Sequence, residues 1–365
     1  MTISGPKVRD YTEGRRQTAV DIAHGYGFEA VLAVFAYSAW VGDTDGGAEY
    51  EVGEEWFTDV ERRIDPGLLG RVRDLGCCSW VWLGLLGIAL EMPEPRTSEA
   101  LVAGLRSSDP VELRRRLLGI VLGHVVADAS LLDRAASGDR EAFAEAARNS
   151  QEDLSGLAGM VEMDAAAVRD MIADAVEAFG DAAHDDPDRV AAILARDAEH
   201  KRTLARTMPP EGLVELATNG ITFAAQPDVS TVVLVPSVIT RPWVTISEHG
   251  PVRIFSYPVS DEHLSADPDA PPAWLVDFYK ALGDERRLRL LSVLAEGPAG
   301  FADLTARLDL AKSTVHHHLR VLRRAGLVRV TVGDEKEYSL RTDAAPEAAR
   351  MLEAYLGTVT EGDHR

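Results

Sequence analysis

The segment 313–328 divides into two faces when it is drawn as a helix. Val315, Leu319 and Leu322 recur at i, i+4 and i+7 and form one apolar stripe. Serine, histidine and arginine side chains fall on the opposite face, and Gly326 can end the helix in a left-handed conformation. Such a helix can pack one face on its own domain and present the other to a DNA major groove. The pattern predicts the recognition helix of a winged helix-turn-helix, leading into the first strand of the wing.

Double-stranded DNA is the partner that this pattern predicts. We expect the DNA contacts to come from the polar helix face and the base of the following hairpin: Lys312, Ser313, Thr314, His316, His317, Arg320, Arg324, Arg329 and Arg341. The alternative for these side chains is a solvated surface, and Arg323 and Arg324 could equally make dimer or surface contacts. His318 falls within the apolar arc, so we expect it to be a packed, hydrogen-bonded core histidine.

The charge of the chain is unevenly distributed. The net charge is −21, but residues 272–341 contain twelve Lys/Arg against nine Asp/Glu, which gives +3 there and leaves −24 elsewhere. Five basic and no acidic residues lie between Lys312 and Arg329. Because affinity for DNA depends on local neutralisation of phosphates, the acidic remainder is expected to confine DNA contact to this one surface.

The rest of the chain predicts a mainly α protein with several parts. We expect a flexible tail over 1–16, a helical sensor domain over 17–260, a linker over 261–272 and the winged helix-turn-helix over 273–358. Helices are predicted over 28–40, 54–69, 75–90, 111–126, 139–149, 164–179 and 188–208, with Asp109 capping the helix that begins at Pro110. Short β-branched runs over 231–235, 243–246 and 252–257 predict a β meander at the end of this domain.

Four tryptophans of the helical domain are candidates for the lining of a ligand cavity, although aromatic residues in such domains are more often core: Trp40, Trp56, Trp80 and Trp82. The adjacent cysteines Cys77 and Cys78 are read as buried thiols of a reducing compartment. His184 and His200 have no partner at a metal-ligand spacing in the sequence. Catalytic and nucleotide-binding motifs are missing too, so we expect no enzyme, no cofactor and no metal site.

The location of the protein is predicted from its apolar segments. The longest apolar run, over 77–90, covers 14 residues and is shorter than a membrane span needs. The first residues are polar and do not form the apolar core of a signal peptide. We therefore expect a cytoplasmic protein that makes no membrane contact.

The C-terminal quarter of the chain resembles the arsenic-repressor (ArsR) family of winged helix-turn-helix regulators. The resemblance rests on the segment 281–291 (ALGDERRLRLL), the recognition helix and the segment 325–328 (AGLV). It implies a homodimer built on the first and last helices, which binds a two-fold symmetric DNA site. The segment 232–237 (VVLVPS), with 241–243 (RPW), resembles a poorly characterised domain found ahead of such winged helices.

The sequence departs from the family's pattern at three places. Where small members often bind a metal through cysteines, this chain has Phe301-Ala302-Asp303-Leu304, and His364 is isolated in the C-terminal tail. Metal sensing at these two family sites is therefore not expected. The wing tip over 332–337 is more acidic than basic, so the residues at the hairpin base are the better phosphate contacts.

These observations lead to one main hypothesis and one from another class. The first is a one-component DNA-binding transcriptional regulator, a repressor and homodimer, whose N-terminal domain senses a small-molecule effector through differential affinity of its two states. The alternative is a protein–protein interaction module that the winged helix tethers to DNA. An exposed apolar patch without an enclosed cavity would favour the alternative.

Overall fold

A computed structural model of the protein describes residues 18–42, 50–76, 80–123, 126, 128–150, 154–223, 226, 228–264, 273–308, 310–332, 336–342 and 344–356. The predicted tail over 1–16, the Cys77–Cys78 pair and the wing tip at 333–335 lie outside these residues.

The N-terminal part is helical, as the sequence predicts. Its helices are α1 Tyr26–Gly42, α2 Gly53–Arg63, α3 Pro66–Gly76, α4 Trp80–Glu91, α5 Ser98–Ser107, α6 Pro110–Leu122, α7 Ala129–Ala136, α8 Arg140–Ala146, α9 Ser155–Glu162, α10 Ala165–Ala183, α11 Pro187–Ala205 and α12 Pro210–Ala217. α1 and α4 are apolar around most of their circumference, and α1 packs against α4 and α10. A helix without a polar face has to be buried, so these helices lie at the centre of the largest apolar core.

Local chemistry sets where several of these helices begin. Asp109 caps α6 as predicted, because its Oδ1 accepts a hydrogen bond from the Glu112 amide at 2.8 Å. The single helix predicted over 54–69 is instead the pair α2 and α3. Pro66 has no amide hydrogen for a helical bond, and the Asp65 carboxylate accepts from the Leu68 amide at 2.9 Å, so a new helix starts there.

The first sheet contains the three predicted strands and one that was not predicted. Its strands are β1 Ala19–Ile22, β3 Thr231–Ser237, β4 Thr245–His249 and β5 Val252–Pro258, whereas β2 Ile221–Phe223 belongs to a second sheet. The order is β1-β3-β5-β4, with β3 parallel to both neighbours and β4 antiparallel to β5. The strands therefore do not follow one another as a meander. β3 is buried along nearly its whole length, as a central strand of parallel neighbours has to be.

The C-terminal part has the predicted winged helix-turn-helix architecture. After the short helix α13 Asp261–Leu264, its elements are α14 Ala273–Leu282, α15 Glu285–Ala295, β6 Ala299–Gly300, α16 Phe301–Leu308, α17 Lys312–Arg324, β7 Val328–Val332, β8 Lys336–Leu340 and α18 Ala344–Tyr355. Asp284 caps α15 by accepting hydrogen bonds from two amides. Gly326 has a φ of 68°, which is the left-handed conformation that the sequence predicts for it. The predicted linker is partly helical, since its first residues form α13.

The second sheet joins the two parts of the molecule. Its order is β2-β7-β8-β6, and the wing strands β7 and β8 form the predicted antiparallel hairpin. β2, which follows α12 in the N-terminal part, pairs in parallel with β7 and places Ile221 opposite Val330. No local pattern in the sequence predicts this pairing.

Membrane-spanning potential is low for each helix taken alone. In the portion that the structure describes, no single helix is both long and apolar enough to cross a bilayer. The residues Pro66–Leu75 and Trp80–Glu91 meet the length and composition test only as a pair, with a bend of 100° between them.

Candidate nucleic-acid interface

Helix α17 is held in the C-terminal core by its apolar face. Val315, Leu319 and Leu322 are buried, and the helix packs against α14, α15, α16 and β7. This is the stripe that the spacing i, i+4, i+7 predicts. The opposite face is therefore directed away from the core of its own domain.

The first half of α17 presents an exposed polar surface. Lys312, Ser313, His316 and His317 are exposed, and Thr314 is half-buried. The residue before the helix, Ala311, offers no capping side chain to the first amides. Amides at a helix N-terminus together with a lysine and hydroxyl groups form a surface suited to a phosphate.

The second half of α17 contacts the N-terminal part and is only partly exposed to solvent. The guanidinium carbons of Arg320 and Arg323 lie 5.8 and 5.5 Å from the ring centroid of Trp243, within the range of cation–π attraction. Arg320 also donates a hydrogen bond to Nδ1 of His317 at 3.2 Å. Burial lowers the pKa of Arg323. One indole therefore contacts two of the basic residues of the recognition helix.

Arg324 lies between two carboxylates. Its guanidinium is 3.1 Å from Asp277 of α14 and 3.3 Å from Glu51, which precedes α2. Glu51 also accepts a hydrogen bond from Arg241 at 2.9 Å. The side chain of Asn219 donates to the backbone carbonyl of Arg324 at 2.9 Å, so a residue of the N-terminal part caps the end of α17. Arg324 is predicted to contact DNA, and in this conformation its charge is balanced within the chain.

The two arginines at the base of the wing are half-buried. Arg329 of β7 forms an ion pair with Glu215 of α12, next to the β2–β7 pairing. Arg341 follows β8, and its amide donates to the Leu327 carbonyl at 3.0 Å. Both remain predicted DNA contacts, and Arg329 would have to exchange a carboxylate for a phosphate.

His318 is packed as predicted but is not hydrogen-bonded as predicted. It is 5% exposed, and neither ring nitrogen has a hydrogen-bond partner among the described residues. The ring packs in the apolar core of the winged helix, edge-on to His317 at 5.7 Å between centroids. Burial lowers the pKa of His318, so the neutral imidazole is favoured.

The four tryptophans proposed for a ligand cavity do not meet at one place. Trp40 stacks on Phe57 with 4.6 Å between centroids, and Trp56 packs edge-on to the same ring at 4.8 Å. Trp82 is fully buried in the core, whereas Trp80 is 51% exposed. A surface depression beside Trp56 is open and lined largely by charged side chains. The ligand-binding role of these residues remains a prediction.

Three groups of functional interest were missed or misjudged in the sequence. Trp243 and Glu51 lie in irregular segments far from α17, and no local spacing connects them with it. His184 and His200, which have no partner at metal spacing in the sequence, do have partners in space. The Nε2 atom of His184 lies 3.0 Å from Glu29, and His200 meets Glu262 and His263. The only signal in the sequence for the cluster of His200, Glu262 and His263 was that Glu262 and His263 are adjacent.

Comparison with known proteins locates the similarity in the winged helix. The family described as "Bacterial regulatory protein, arsR family" matches residues 284–330. The chain is 42% identical over 83 residues to "Transcriptional repressor SmtB homolog" of Synechocystis sp., covering 22% of this chain and 63% of that protein. It is 35% identical over 78 residues to "Transcriptional activator HlyU" of Vibrio cholerae, covering 21% of this chain and 70% of that protein.

A third similar protein is "Uncharacterized HTH-type transcriptional regulator MJ1325" of Methanocaldococcus jannaschii. It is 30% identical over 79 residues, covering 21% of this chain and 89% of that protein. These matches are confined to about a fifth of this chain.

Proposed function

Since the chain belongs to the arsR family of bacterial regulatory proteins, we propose that it is a DNA-binding transcriptional regulator of the cytoplasm. In this proposal it binds its operator as a homodimer and acts as a repressor, with the N-terminal part controlling the winged helix. The similar proteins include one named as a repressor and one named as an activator. A reporter gene under the protein's own promoter, with and without the protein, tests the direction of regulation.

The exposed first half of α17 is the observation that carries the proposal. Lys312, Ser313, His316 and His317 project from a helix whose other face is anchored in the core. Imidazole and hydroxyl groups can donate to or accept from base edges, and the lysine can neutralise a phosphate. No acidic residue occurs between Lys312 and Arg329 to repel the DNA backbone.

Exposed apolar side chains on the first and last helices of the winged helix support the homodimer. Tyr279 of α14 is 43% exposed, Tyr355 of α18 is 45% exposed and the adjacent Leu356 is 60% exposed. α14 and α18 pack against each other, so these side chains belong to neighbouring helices. We expect Leu356→Asp to shift the protein toward monomer in sedimentation equilibrium. An unchanged dimer would contradict this assignment.

The contacts between the two parts suggest how the N-terminal part controls DNA binding. Trp243, Glu51 and Glu215 engage arginines that a DNA backbone would also engage. A small-molecule effector that binds one arrangement of the two parts better than the other would shift this equilibrium. DNA affinity that does not respond to any small-molecule fraction of a cell extract would argue against the sensor role.

Fluorescence anisotropy with the DNA upstream of the protein's own gene tests DNA binding. Full-length protein should bind in a salt-dependent manner, and Lys312→Ala should reduce the slope of log affinity against log salt by about one for each subunit, which is about two for the homodimer. Arg62→Ala, an exposed arginine of α2 outside the interface, is the matched control. Failure of both the wild type and a Trp243→Ala variant to bind at low salt would refute the proposal, because the second protein lacks the competing contact.

A further inference from the structure

Three potential metal ligands meet where α11 contacts the short helix α13. Nδ1 of His200 lies 3.3 Å from Nε2 of His263 and 2.9 Å from Oε1 of Glu262. The third side of the triangle, from His263 Nε2 to Glu262 Oε1, is 3.5 Å. His200 comes from α11, and the other two residues are consecutive in α13.

The size of this triangle fits a small divalent ion. Zn–N and Zn–O bonds of about 2.0–2.1 Å in a tetrahedral site place neighbouring ligand atoms roughly 3.3–3.4 Å apart. The three observed distances lie on either side of that value, so an ion fits above the triangle with little movement of the ligands. Two imidazoles and one carboxylate are a ligand set that Zn²⁺ uses in proteins when water holds the fourth position.

The orientation of the two imidazoles is also compatible with a metal. Nδ1 of His200 and Nε2 of His263 face each other at 3.3 Å, so they can share one proton in an N–H···N hydrogen bond. When neither of these two nitrogens carries a proton, both lone pairs are available to one ion.

The surroundings hold the ligands in place. Oδ1 of the buried Asp197 lies 3.8 Å from the ligating nitrogen of His263, and Arg196 donates a hydrogen bond to the His263 carbonyl at 3.3 Å. The nearby ammonium of Lys201 donates hydrogen bonds to Ser260 Oγ at 2.8 Å and to Asp197 Oδ1 at 3.3 Å, so the Asp197 carboxylate balances its charge. Glu262 is 60% exposed and His200 39%, which leaves an open side for a water ligand and for entry of the ion.

We propose that His200, Glu262 and His263 bind one Zn²⁺ ion per chain and thereby fasten α13 to α11. The site lies outside the winged helix and is distinct from the positions around Phe301 and His364 that the sequence excludes. Because α13 ends where the chain runs on toward α14, the ion would fix the last described turn before the winged helix. The proposal does not depend on DNA binding.

A metal titration of the full-length, untagged protein tests the site. After removal of metal with a chelator, Zn²⁺ should bind with a stoichiometry of one per chain in competition with a chromophoric chelator. His200→Ala and His263→Ala should each weaken Zn²⁺ binding by about 100-fold or more. Substitution of residues that only hydrogen-bond to metal ligands already lowers metal affinity by about 10- to 100-fold. The matched control is His249→Ala, which removes a histidine of β4 that pairs with Glu91 of α4. This variant should bind Zn²⁺ as the wild type does.

Cobalt substitution separates this site from binding at the cysteines. Co²⁺ at two imidazoles and a carboxylate gives visible ligand-field bands without the intense thiolate charge-transfer band that Cys77 or Cys78 would add. Equal affinity of the wild type and both histidine variants, or a thiolate band, would overturn the proposal. Circular dichroism of each variant shows whether it is folded, so that a loss of Zn²⁺ binding is not caused by unfolding.

Discussion

Both halves of helix α17 contain basic side chains, but the surroundings of the two halves differ. Lys312, His316 and His317 in the first half are exposed, and their neighbours belong to the winged helix itself. Arg320, Arg323 and Arg324 in the second half contact Trp243 and Glu51 of the N-terminal part. One half of the helix is therefore open to a ligand, while the other is occupied by the chain's own residues.

This difference matters because the two sets of contacts compete for one kind of group. A guanidinium over an indole, or between two carboxylates, has already lost part of its hydration and gained counter-charges. A DNA phosphate has to replace those contacts before it gains affinity from the same arginine. In the described conformation, the first half of α17 is therefore accessible to DNA, whereas the arginines of the second half are bound by the N-terminal part.

The largest effect is expected from reversing the charge of the exposed half. Lys312→Glu together with His316→Glu should lower DNA affinity on the order of 100-fold, since each base or phosphate contact carries about 1–3 kcal/mol. Glutamate at these positions is compatible with the first turns of a helix, so the fold should persist. Anisotropy measures the affinity, and Lys312→Arg is the conservative control. A double variant that binds within twofold of the wild type would place the DNA elsewhere.

Removing the Trp243 indole from the second half of α17 should raise DNA affinity instead of lowering it. Trp243→Ala should raise DNA affinity by about five- to thirtyfold, because two cation–π contacts of about 0.5–1 kcal/mol each no longer hold Arg320 and Arg323. Trp80→Ala, an exposed tryptophan of α4, is the matched control and should leave affinity unchanged. A Trp243→Ala protein that binds more weakly would mean that the indole helps to present the helix, contrary to the competition described above.

The open half of α17 was predictable from the sequence, and the occupied half was not. The i, i+4, i+7 spacing of Val315, Leu319 and Leu322 determines which side of the helix is buried, and Gly326 marks its end. Those signals are local and depend only on helix geometry. They say nothing about a second part of the chain that contacts the outward face.

The missing contacts come from segments without a periodic pattern. β2 contains three residues and pairs with β7 more than 100 positions away, so neither its length nor its composition predicts a partner. Trp243 lies in an irregular segment before β4, where it was assigned to the start of a strand. The strand order β1-β3-β5-β4 could not be predicted either. Alternation of apolar and polar residues predicts where strands occur, but not which strands are neighbours in the sheet.

The buried face of α17 contains His318, and its contribution to stability can be tested by lowering the pH. Burial lowers the pKa of His318 below the value of about 6.5 for a free imidazole, so the unfolded chain binds a proton more readily than the folded one. The free energy of unfolding should therefore fall as the pH drops below about 6.5. Two other histidines with lowered pKa, His24 and His263, contribute in the same direction and remain unchanged in a His318 variant.

His318→Leu should raise the free energy of unfolding by about 1 kcal/mol at pH 7.5, since an apolar side chain replaces a buried polar ring that has no hydrogen-bond partner among the described residues. The gain should be larger at pH 5.5, where the wild type binds a proton on unfolding. Urea denaturation of the full-length protein at both pH values measures the effect. His316→Leu is the control, because it removes an exposed imidazole from the same helix. An equal gain at both pH values would show that His318 does not titrate on unfolding.

The smallest effect is expected at the wing, where the ion pair and the strand pairing can be separated. Glu215→Gln removes the charge that faces Arg329 but keeps the β2–β7 hydrogen bonds. A partly exposed ion pair contributes about 0–1 kcal/mol, so DNA affinity should rise by less than about fivefold. Glu211→Gln, an exposed glutamate of the same helix, is the matched control. A much larger rise would mean that Glu215, rather than backbone pairing and Trp243, keeps the basic residues from the DNA.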